Sequence, residues 1–590
     1  MTLFSLLAVS CGFLEEKSDT RLLDTHIYNT EDGLESALYG CYKGLMGSSG
    51  PTNSMQEFLQ TASGLEHWRY ATNTVNDETR LCCLRFTQYS ENAYNYNAFT
   101  GFYTTIQRCN TLLDHLPASP VADDVKAKAG GEARLIRALS YFYLVRLYGD
   151  VPVYLSAPVS YEEGHSPRVA FWEVYRIIIE DLEYAETHMC EMAEASAASG
   201  RSCRWAATAL KSSVYLTIGT LLASPSDNFW DTSKRTPDFS PLGINNAGDA
   251  FEKALAAADK VIAEGPYELA GKYSDLFRWT DAGDWNLKER IIVLTNSPQA
   301  GSNMSALRSL PRYINSATDG NKNYGRFRPT RFLFQKWCET YPGTKEGDIY
   351  VTSADPRLDA SFFHTSFYDF GTGAERSIYP TASKLKLSTP QDKVYQPYFK
   401  KYYDPSYNGD AGLADFYVLR LAEVYLISAE AAARLSSSKG DDMWNKAFER
   451  VETLHERARK DAPSSSASLK WESSRFADQN ELLDGIFWER VFELSGEGHE
   501  FFDTHRMGAA WLSRVIATEK NAFLKLPEQA DFKSGTKTYD GYTTCLYGKD
   551  FQYETDVQAL RKSLLCAFPY DEIVYNQGIT DADQNDYYWK

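Results

Sequence analysis

Apolar residues recur every three or four positions in several segments, which is the pattern of helices with one buried face. The longest such segment predicts one helix over 123–148, on one face of which lie Ala129, Ala133, Ile136, Leu139, Tyr143 and Leu147. Gly149 and Pro152 predict its end, because glycine caps a helix and proline cannot continue one. The same periodicity predicts helices at about 170–188, 204–222, 248–264, 415–436, 442–460 and 480–495. Paired helices of this length are typical of tetratricopeptide-like units, so the pattern predicts a mainly α fold.

Helical periodicity is weak in two stretches, at about 48–100 and 268–414, where Gly, Asn, Pro, Tyr and Arg are concentrated. Long stretches of this kind are usually functional or disordered, and their many aromatic residues favour function. Binding residues often lie on loops that a rigid scaffold holds. We therefore expect both loop-rich stretches to meet on one face of a helical scaffold that comprises mainly 21–47, 101–265 and 415–510.

Composition narrows the range of partners. The chain of 590 residues has a net charge of −18 and is rich in aromatic residues, with 12 Trp, 39 Tyr and 31 Phe. A nucleic-acid partner would need grooves lined with Lys and Arg, so the acidic balance argues against one. Tyrosine can be half buried with its hydroxyl in water, and it therefore suits exposed binding surfaces as well as cores.

The N-terminus carries an apolar run, Met1 to Ser10, that ends at Cys11. This run is too short to span a bilayer, and no later stretch reaches the roughly 20 apolar residues that a spanning helix needs. It resembles a bacterial lipoprotein signal in which Ala8–Cys11 is the lipid-attachment box. Its usual leading basic residue is missing, so we expect a truncated signal peptide over 1–10 and a lipidated tether over 11–20. The alternative is an apolar N-terminus that is not processed.

The remaining nine cysteines show no CxxC pair or other zinc-like spacing, and we expect most of them to be buried, with few disulfides. A second candidate for chemistry is the acidic and histidine-containing cluster Glu497, His499, Glu500, Asp503 and His505. A zincin motif needs a second His four residues after the first, and Asp503 stands there instead. We therefore expect neighbouring charged residues to be partly buried, paired groups that fix helix contacts, namely Glu489, Arg490, Glu497, Asp503 and Arg506.

Three arginines, Arg134, Arg137 and Arg146, lie in the otherwise apolar 123–148 helix. They could grip an anionic ligand, but we expect their stems to cover core surface and their guanidinium groups to pair with carboxylates or carbonyls. The sequence has no nucleophile elbow, no phosphate-binding loop and no Rossmann glycine pattern. It therefore predicts a protein that is not an enzyme and that carries neither a metal nor a cofactor.

Several strings, in order along the chain, resemble motifs of the SusD/RagB family of outer-membrane nutrient-binding lipoproteins. The clearest is GEARLIRALSYFYLVRLYGDVP at 131–152, and YTTIQRCN at 103–110 precedes it. ERVFEL at 489–494 and GEGHEFFD at 496–503 follow. One departure is Glu500, where the family more often has a basic residue, which puts local ion pairing in doubt.

The resemblance implies a single SusD-like domain over 21–590 with four tetratricopeptide-like units. It also implies a lipid anchor at Cys11 on the cell surface, in the outer membrane, and a SusC-like TonB-dependent transporter barrel as partner. It does not name the ligand.

Sugar recognition requires flat aromatic platforms beside side chains that make planar hydrogen bonds. The loop-rich stretches supply such residues, and we predict ligand contacts from Trp68, Arg69, Tyr70, Asn73, Tyr94, Tyr96, Asn97, Trp279, Trp285, Tyr313, Asn315, Tyr324 and Arg326. The predicted function is capture of an oligosaccharide or polysaccharide for delivery to the transporter. The alternatives are a peptide-capturing RagB-like member of the family, a glycoside hydrolase that uses two carboxylates, and a purely structural scaffold.

Overall fold

The computed structural model describes residues 27–46, 54–68, 93–192, 200–278, 288–296, 327–346, 349–364, 366–369, 374–377, 397–403, 413–472, 474–520, 554–580 and 583–584. The predicted signal peptide and tether lie outside these residues. The α-helices of the described part are α1 (Glu31–Leu45), α2 (Ser54–Ala62), α3 (Ala93–His115), α4 (Asp123–Tyr148), α5 (Phe171–His188), α6 (Arg204–Ala223), α7 (Ala247–Glu264), α8 (Arg331–Thr340), α9 (Pro356–Ser361), α10 (Leu421–Leu435), α11 (Asp442–Arg459), α12 (Gln479–Leu494), α13 (Glu500–Arg506), α14 (Ala509–Trp511), α15 (Val557–Arg561) and α16 (Tyr570–Tyr575).

Short strands accompany the helices: β1 (Glu66–Trp68), β2 (Val151–Pro152), β3 (Arg168–Val169), β4 (Arg290–Leu294), β5 (Phe327–Pro329), β6 (Lys345–Glu346), β7 (Ile349–Tyr350), β8 (Phe362–Phe363), β9 (Ser366–Asp369), β10 (Ala374–Ser377), β11 (Tyr398–Phe399) and β12 (Phe416–Arg420). They form two-stranded antiparallel sheets that pair β1 with β5, β2 with β3, β4 with β12, β6 with β7, β8 with β11 and β9 with β10.

The long helices pack largely in the order of the chain. Contacts run from α1 to α3 and then in succession through α4, α5, α6, α7, α10 and α11. Each helix buries an apolar stripe against its neighbours, which is how helical repeat arrays build one continuous core. The predicted mainly α fold is therefore confirmed. The bounds of α4, α5, α6, α7, α11 and α12 agree with the predicted ones to within about a residue.

Helix α4 begins and ends for local reasons. Asp123 and Asp124 lie in its first turn, where carboxylates interact favourably with the helix dipole. Gly149 ends it at a φ of 71° and donates its N–H to the carbonyl of Val145 at 2.9 Å. A Cβ at Gly149 would lie 2.9 Å from Cδ1 of Leu565. Both the backbone conformation and the packing therefore require glycine there.

The predicted helix at 415–436 is wrong at its N-terminal end. Residues 416–420 form β12, which pairs with β4, and the helix begins only at Leu421. All five residues of β12 are buried, because the strand is covered on both faces. A short strand buried in this way shows no alternation of apolar and polar positions, so its pattern merges with that of the helix that follows.

The described parts of the two loop-rich stretches are more regular than the sequence predicts. The first contains α2, β1 and the start of α3, and the second contains α8, α9 and the strands β4 to β11. These elements are short, so most of them span too few residues to show a period. Helix α8 nevertheless has a clear local start, where the Thr330 hydroxyl accepts the Leu333 N–H at 3.1 Å.

A group of buried charged side chains, the central ion cluster, joins α12 to β12, α9 and α11. Its members are Glu289, Arg357, Arg420, Arg457, Glu489, Glu493 and Glu497, each at most 2% exposed. Arg357 donates to Glu489 at 2.9 Å and Arg457 donates to Glu289 at 2.9 Å. Burial acts to raise the pKa of Glu489, but Arg357 and His455 lower that pKa to about 2.

A second buried network of ion pairs, which involves α12 and α13, lies beside the central ion cluster. Arg490 and Arg506 each donate to Asp503 at 3.0 Å, and Arg506 also binds Glu430 at 2.6 Å. The predicted pairing of Glu489, Arg490, Glu497, Asp503 and Arg506 is therefore confirmed. Their burial is more complete than the partial burial predicted, since none of them is more than 9% exposed.

The prediction for the arginines of α4 is also confirmed. Arg137 makes a bidentate ion pair with Asp181 at 2.8 and 2.7 Å. Arg134 lies 3.7 Å from the same carboxylate and stacks on Tyr184. Arg146 donates to the Phe142 carbonyl at 3.0 Å, and its guanidinium lies over aromatic rings of the core.

Two further expectations concern apolar residues. Six cysteines of the described residues, Cys41, Cys109, Cys190, Cys203, Cys338 and Cys566, are buried, as predicted. The expectation that no stretch after the N-terminus is long and apolar enough to span a bilayer is not met, because α6 is both. Most of α6 is buried inside the protein, against α5 and α7, and a core helix passes the same test.

Candidate ligand-binding groove

Four of the predicted ligand residues fall within the described elements. Trp68 lies at the end of β1, and Tyr94, Tyr96 and Asn97 lie in the first turns of α3. The others, and the predicted lipidation site, lie outside the described residues: Arg69, Tyr70, Asn73, Trp279, Trp285, Tyr313, Asn315, Tyr324, Arg326 and Cys11.

A small sheet joins the two stretches that hold these residues. Trp68 is paired with Phe327, and Glu66 with Pro329, in the antiparallel β1–β5 sheet. Next to it, Thr330 donates its N–H to the Leu65 carbonyl at 2.8 Å. Arg69 therefore directly follows one strand of this sheet, and Arg326 directly precedes the other. The expectation that the two loop-rich stretches meet is confirmed at this sheet.

A groove with a cavity volume of about 310 Å³ lies beside the first half of α3. One wall is a face of α3, on which Tyr103 lies three and four residues after Thr100 and Phe99, and Gln107 four residues after Tyr103, as on one helix face. The same spacing places Tyr96, 39% exposed, one turn before the groove. The other walls come from the loop after β2, which contributes Tyr154, Pro158 and Gly164, and from Glu572 of α16.

Hydrogen bonds to the backbone hold the aromatic walls in place. Tyr103 donates its hydroxyl to the Pro152 carbonyl at 2.6 Å, and Tyr154 donates to the Gly164 carbonyl at 2.8 Å. Their rings stand nearly perpendicular, with centroids 5.9 Å apart. Because both hydroxyls are engaged within the protein, the part of each tyrosine that a ligand can use is its ring.

The base of the groove is fixed to the ion pair of α4. Asn110 donates to the Tyr154 carbonyl at 2.9 Å and accepts a hydrogen bond from Arg137 at 2.7 Å. Arg137 is in turn held by Asp181. This chain of contacts gives the groove a preformed shape, which lowers the cost of binding a ligand.

Glu572 supplies the acidic group of the groove. Burial raises its pKa, and the Asn576 amide, which donates to it at 2.8 Å, acts in the opposite direction. Burial likewise raises the pKa of Tyr103 well above its usual range, with Tyr141, Tyr154 and Glu572 adding to the effect. The tyrosines of the groove are therefore neutral at physiological pH.

The surroundings of the groove are unusually apolar for a surface. Val159 is 87% exposed, Tyr161 62% and Tyr575 69%, and all three belong to the same loop and helix that line the groove. Exposed apolar side chains next to a groove are a feature of binding surfaces. Aromatic faces with an exposed amide at Gln107 and a carboxyl at Glu572 suit a ligand that has both C–H faces and hydroxyl groups.

Sequence reasoning missed most of this groove. Tyr103 and Gln107 are part of the family-like string at 103–110, but they, Tyr154 and Glu572 are not among the predicted contacts. The only sequence signal is the density of aromatic residues in 154–161 and 570–575, which are far apart along the chain.

Most side chains of the acidic and histidine-containing cluster at 497–505 are engaged by neighbouring groups. Asp503 is bound by two arginines, and Glu497 by Arg420 and Lys401. Burial lowers the pKa of His505 to about 3, so this imidazole is neutral. Within the described residues, no group of three or more His, Cys, Asp or Glu side chains is placed to hold a metal ion.

Two family models match the chain. The model described as the SusD family matches residues 270–589, and the one described as "Starch-binding associating with outer membrane" matches residues 12–216. Among similar proteins, a SusD-like protein of Bacteroides ovatus is 24% identical over 505 residues, which is 84% of this chain and 79% of that protein. SusD-like protein P25 of Formosa agariphila is 21% identical over 519 residues, covering 84% and 86% of the two chains.

Solved structures with the same fold include a SusD homologue of Bacteroides thetaiotaomicron. Its TM-score is 0.67 at 16% identity, with 95% of this chain and 98% of that chain covered. A laminarin-binding SusD-like protein matches with a TM-score of 0.62 at 19% identity, covering 95% of this chain and all of the other. At these identities the likeness establishes the fold.

Proposed function

The chain belongs to the SusD family, and from that membership we propose that it binds an oligosaccharide or polysaccharide at the cell surface and delivers it to a TonB-dependent outer-membrane transporter. The observation that carries the carbohydrate part of the proposal is the preformed groove beside α3, with its tyrosine walls and the exposed amide of Gln107. Sugar rings present apolar C–H faces to aromatic rings and hydroxyl groups to amides, so they match both features.

The two loop-rich stretches provide the second part of the proposed binding surface. The β1–β5 sheet pairs residues 66–68 of one stretch with residues 327–329 of the other. The proposed contacts are the thirteen residues predicted from the sequence, from Trp68 to Arg326. In this proposal the protein performs no catalysis, and a SusC-like barrel takes up the captured ligand.

Calorimetric titration of the purified chain with a panel of soluble glycans tests carbohydrate binding. Tyr96→Ala and Gln107→Ala change exposed residues of α3 and leave the core intact, and we expect each to weaken binding by about three- to tenfold through the loss of one contact. Tyr39→Ala is the matched control, because Tyr39 is 42% exposed and does not line the groove. Binding of peptides and of no glycan would overturn the proposal.

The same titration separates the groove from the loop-rich stretches. Trp68→Ala and Tyr324→Ala remove proposed contacts of the loops, whereas Gln107→Ala removes one of the groove. A loss of glycan binding in only one set assigns the ligand to that site. Release of shorter products by the purified protein would contradict the non-catalytic role.

The membrane anchor and the partner require tests of their own. We expect Cys11→Ser to move the protein from the membrane fraction to the soluble fraction, since the thiol at position 11 is the proposed attachment point. A protein that stays with the membrane after this change would overturn the anchor. Affinity purification of the wild-type chain from its native outer membrane should recover a barrel transporter, and its absence would argue against delivery.

A further inference from the structure

Four buried polar side chains meet at the backbone of Gly496. Gln56 and Gln60 belong to α2, Glu66 to β1 and Glu500 to α13, and none of them is more than 1% exposed. Gln56 and Gln60 donate their amide N–H groups to the Gly496 carbonyl, at 3.0 and 3.4 Å. Glu500 accepts the Gly496 N–H at 2.5 Å through Oε1.

The remaining oxygen atoms of these four side chains lack a donor. Gln56 Oε1, Gln60 Oε1, both carboxylate oxygens of Glu66 and Oε2 of Glu500 are buried without a well-formed hydrogen bond among the described residues. The Glu66 carboxyl interacts with the Glu500 carboxyl and with the Gly496 backbone. A buried acceptor without a donor costs about 1–3 kcal/mol, and a buried carboxylate costs more. Five such atoms around one backbone residue are therefore a strong signal for a group that the protein itself does not supply.

Electrostatics points in the same direction. Glu66 lies next to Glu500, and burial followed by this like charge raises the pKa of Glu66 well above its usual range. Lys401 acts to lower the pKa of both carboxyls. Its ammonium donates to Glu497 at 2.8 Å and to the Glu493 carbonyl at 3.0 Å. Lys401 is therefore shared with the central ion cluster and offsets the charge of the two carboxylates only in part, since the pKa of each stays raised.

We propose that Gln56, Gln60, Glu66 and Glu500 form a binding site for a calcium ion. The donor set consists entirely of oxygen atoms, which favours a hard cation over zinc or copper. Two carboxylates carry two negative charges, which one divalent cation neutralises. The set contains only two carboxylates, so it is distinct from the His, Cys, Asp and Glu clusters that typify transition-metal sites.

The cation explains more of the site than a shared proton does. A proton held between Glu66 and Glu500 satisfies the carboxyl groups, but it leaves the amide oxygens of Gln56 and Gln60 without a donor. Calcium accepts about six to eight oxygen ligands in flexible geometry, so it can use the amide and carboxylate oxygens together. Magnesium keeps several of its waters and requires a near-ideal octahedron, which a buried site of this kind does not favour.

Calcium at this site would link the scaffold to the proposed binding surface. Glu66 lies in β1, two residues before Trp68 and opposite Pro329 of β5. Glu500 lies at the start of α13, which carries the second buried ion network. The ion would therefore clamp the β1–β5 sheet, from which both loop-rich stretches extend, onto the helical core.

The test uses the full chain and needs no carbohydrate ligand. After treatment with EDTA and removal of the chelator, the wild-type protein should bind one calcium ion per chain by mass spectrometry under native conditions. Its Tm should rise by about 2–3 °C when the Ca²⁺ concentration exceeds the Kd about a hundredfold. Glu66→Gln and Glu500→Gln should abolish this rise. Glu252→Gln, an exposed change of the same charge, is the matched control and should keep it.

A neutral variant covers the case in which the carboxylate variants do not fold. Gln56→Leu keeps both carboxylates and removes one oxygen ligand, so we expect it to weaken calcium binding roughly tenfold or more. An unchanged Kd in this variant would overturn the site. An equal response of the wild type to Mg²⁺ would overturn the assignment to calcium. A wild-type Tm that ignores Ca²⁺ but rises as the pH falls from 8 to 6 would replace the cation with a shared proton.

Discussion

Replacing Arg420 with methionine should cause one of the largest stability losses that a single substitution can produce in this chain. The Arg420 guanidinium makes five hydrogen bonds: to Glu497 at 2.7 and 3.0 Å, to Glu289 at 2.8 Å, and to the carboxylate and carbonyl of Glu493 at 2.7 and 2.8 Å. The side chain is 1% exposed. Methionine fills much of the same volume but leaves three carboxylates short of a positive partner.

The expected loss follows from the partners that remain. Removing one partner of a buried ion pair costs about 3–5 kcal/mol. Arg457 still contacts Glu289 and Glu493, and Lys401 still contacts Glu497, so the carboxylates are not left fully unpaired. We therefore expect Arg420→Met to lower the free energy of unfolding by about 4 kcal/mol.

Urea unfolding at pH 7, followed by tryptophan fluorescence, measures this loss as a shift of the midpoint. Arg176→Met is the control, because Arg176 pairs with Glu173 and Glu180 on the surface and should lose no more than about 1 kcal/mol. Adding Glu497→Gln to Arg420→Met should restore part of the loss, since it removes one of the stranded charges. A loss for Arg420→Met that equals the control would refute the reasoning.

Three further predictions follow from the same structure. The pKa of Glu489 is lowered from 4.5 to about 2, so its ionised form adds about 3 kcal/mol to the free energy of unfolding above pH 4.5, and this is lost as the pH falls towards 2. The free energy of unfolding should therefore fall less steeply with acid in Glu489→Gln than in the wild type. An equal dependence on pH would contradict this. Gly149→Ala should lower the Tm more than Gly440→Ala, because both glycines have positive φ but only Gly149 also meets a neighbouring side chain; equal losses would leave backbone strain as the whole effect. Arg137→Met should cost about 3 kcal/mol in urea unfolding, since it strands the buried Asp181, and a loss below about 1 kcal/mol would show that this pair does not hold the groove.

The long helices could be predicted because their causes are local. In α4 the acidic first turn, the apolar face and Gly149 all lie within one continuous segment. The strand β12 could not be predicted in the same way. Whether residues 416–420 form a strand or the first turns of a helix depends on β4, whose residues lie far away in sequence and supply the pairing partners.

The sequence by itself determined the helical class, the family resemblance and the paired state of the charged residues on α12 and α13. These properties depend on periodicity, on motif strings and on the cost of burying an unpaired charge, all of which can be read along the chain. Only the tertiary structure decided where binding surfaces form. The groove takes its walls from α3, the loop after β2 and α16, and the proposed calcium site takes its oxygens from α2, β1 and α13. Packing brings these distant segments together, and no local pattern encodes that contact.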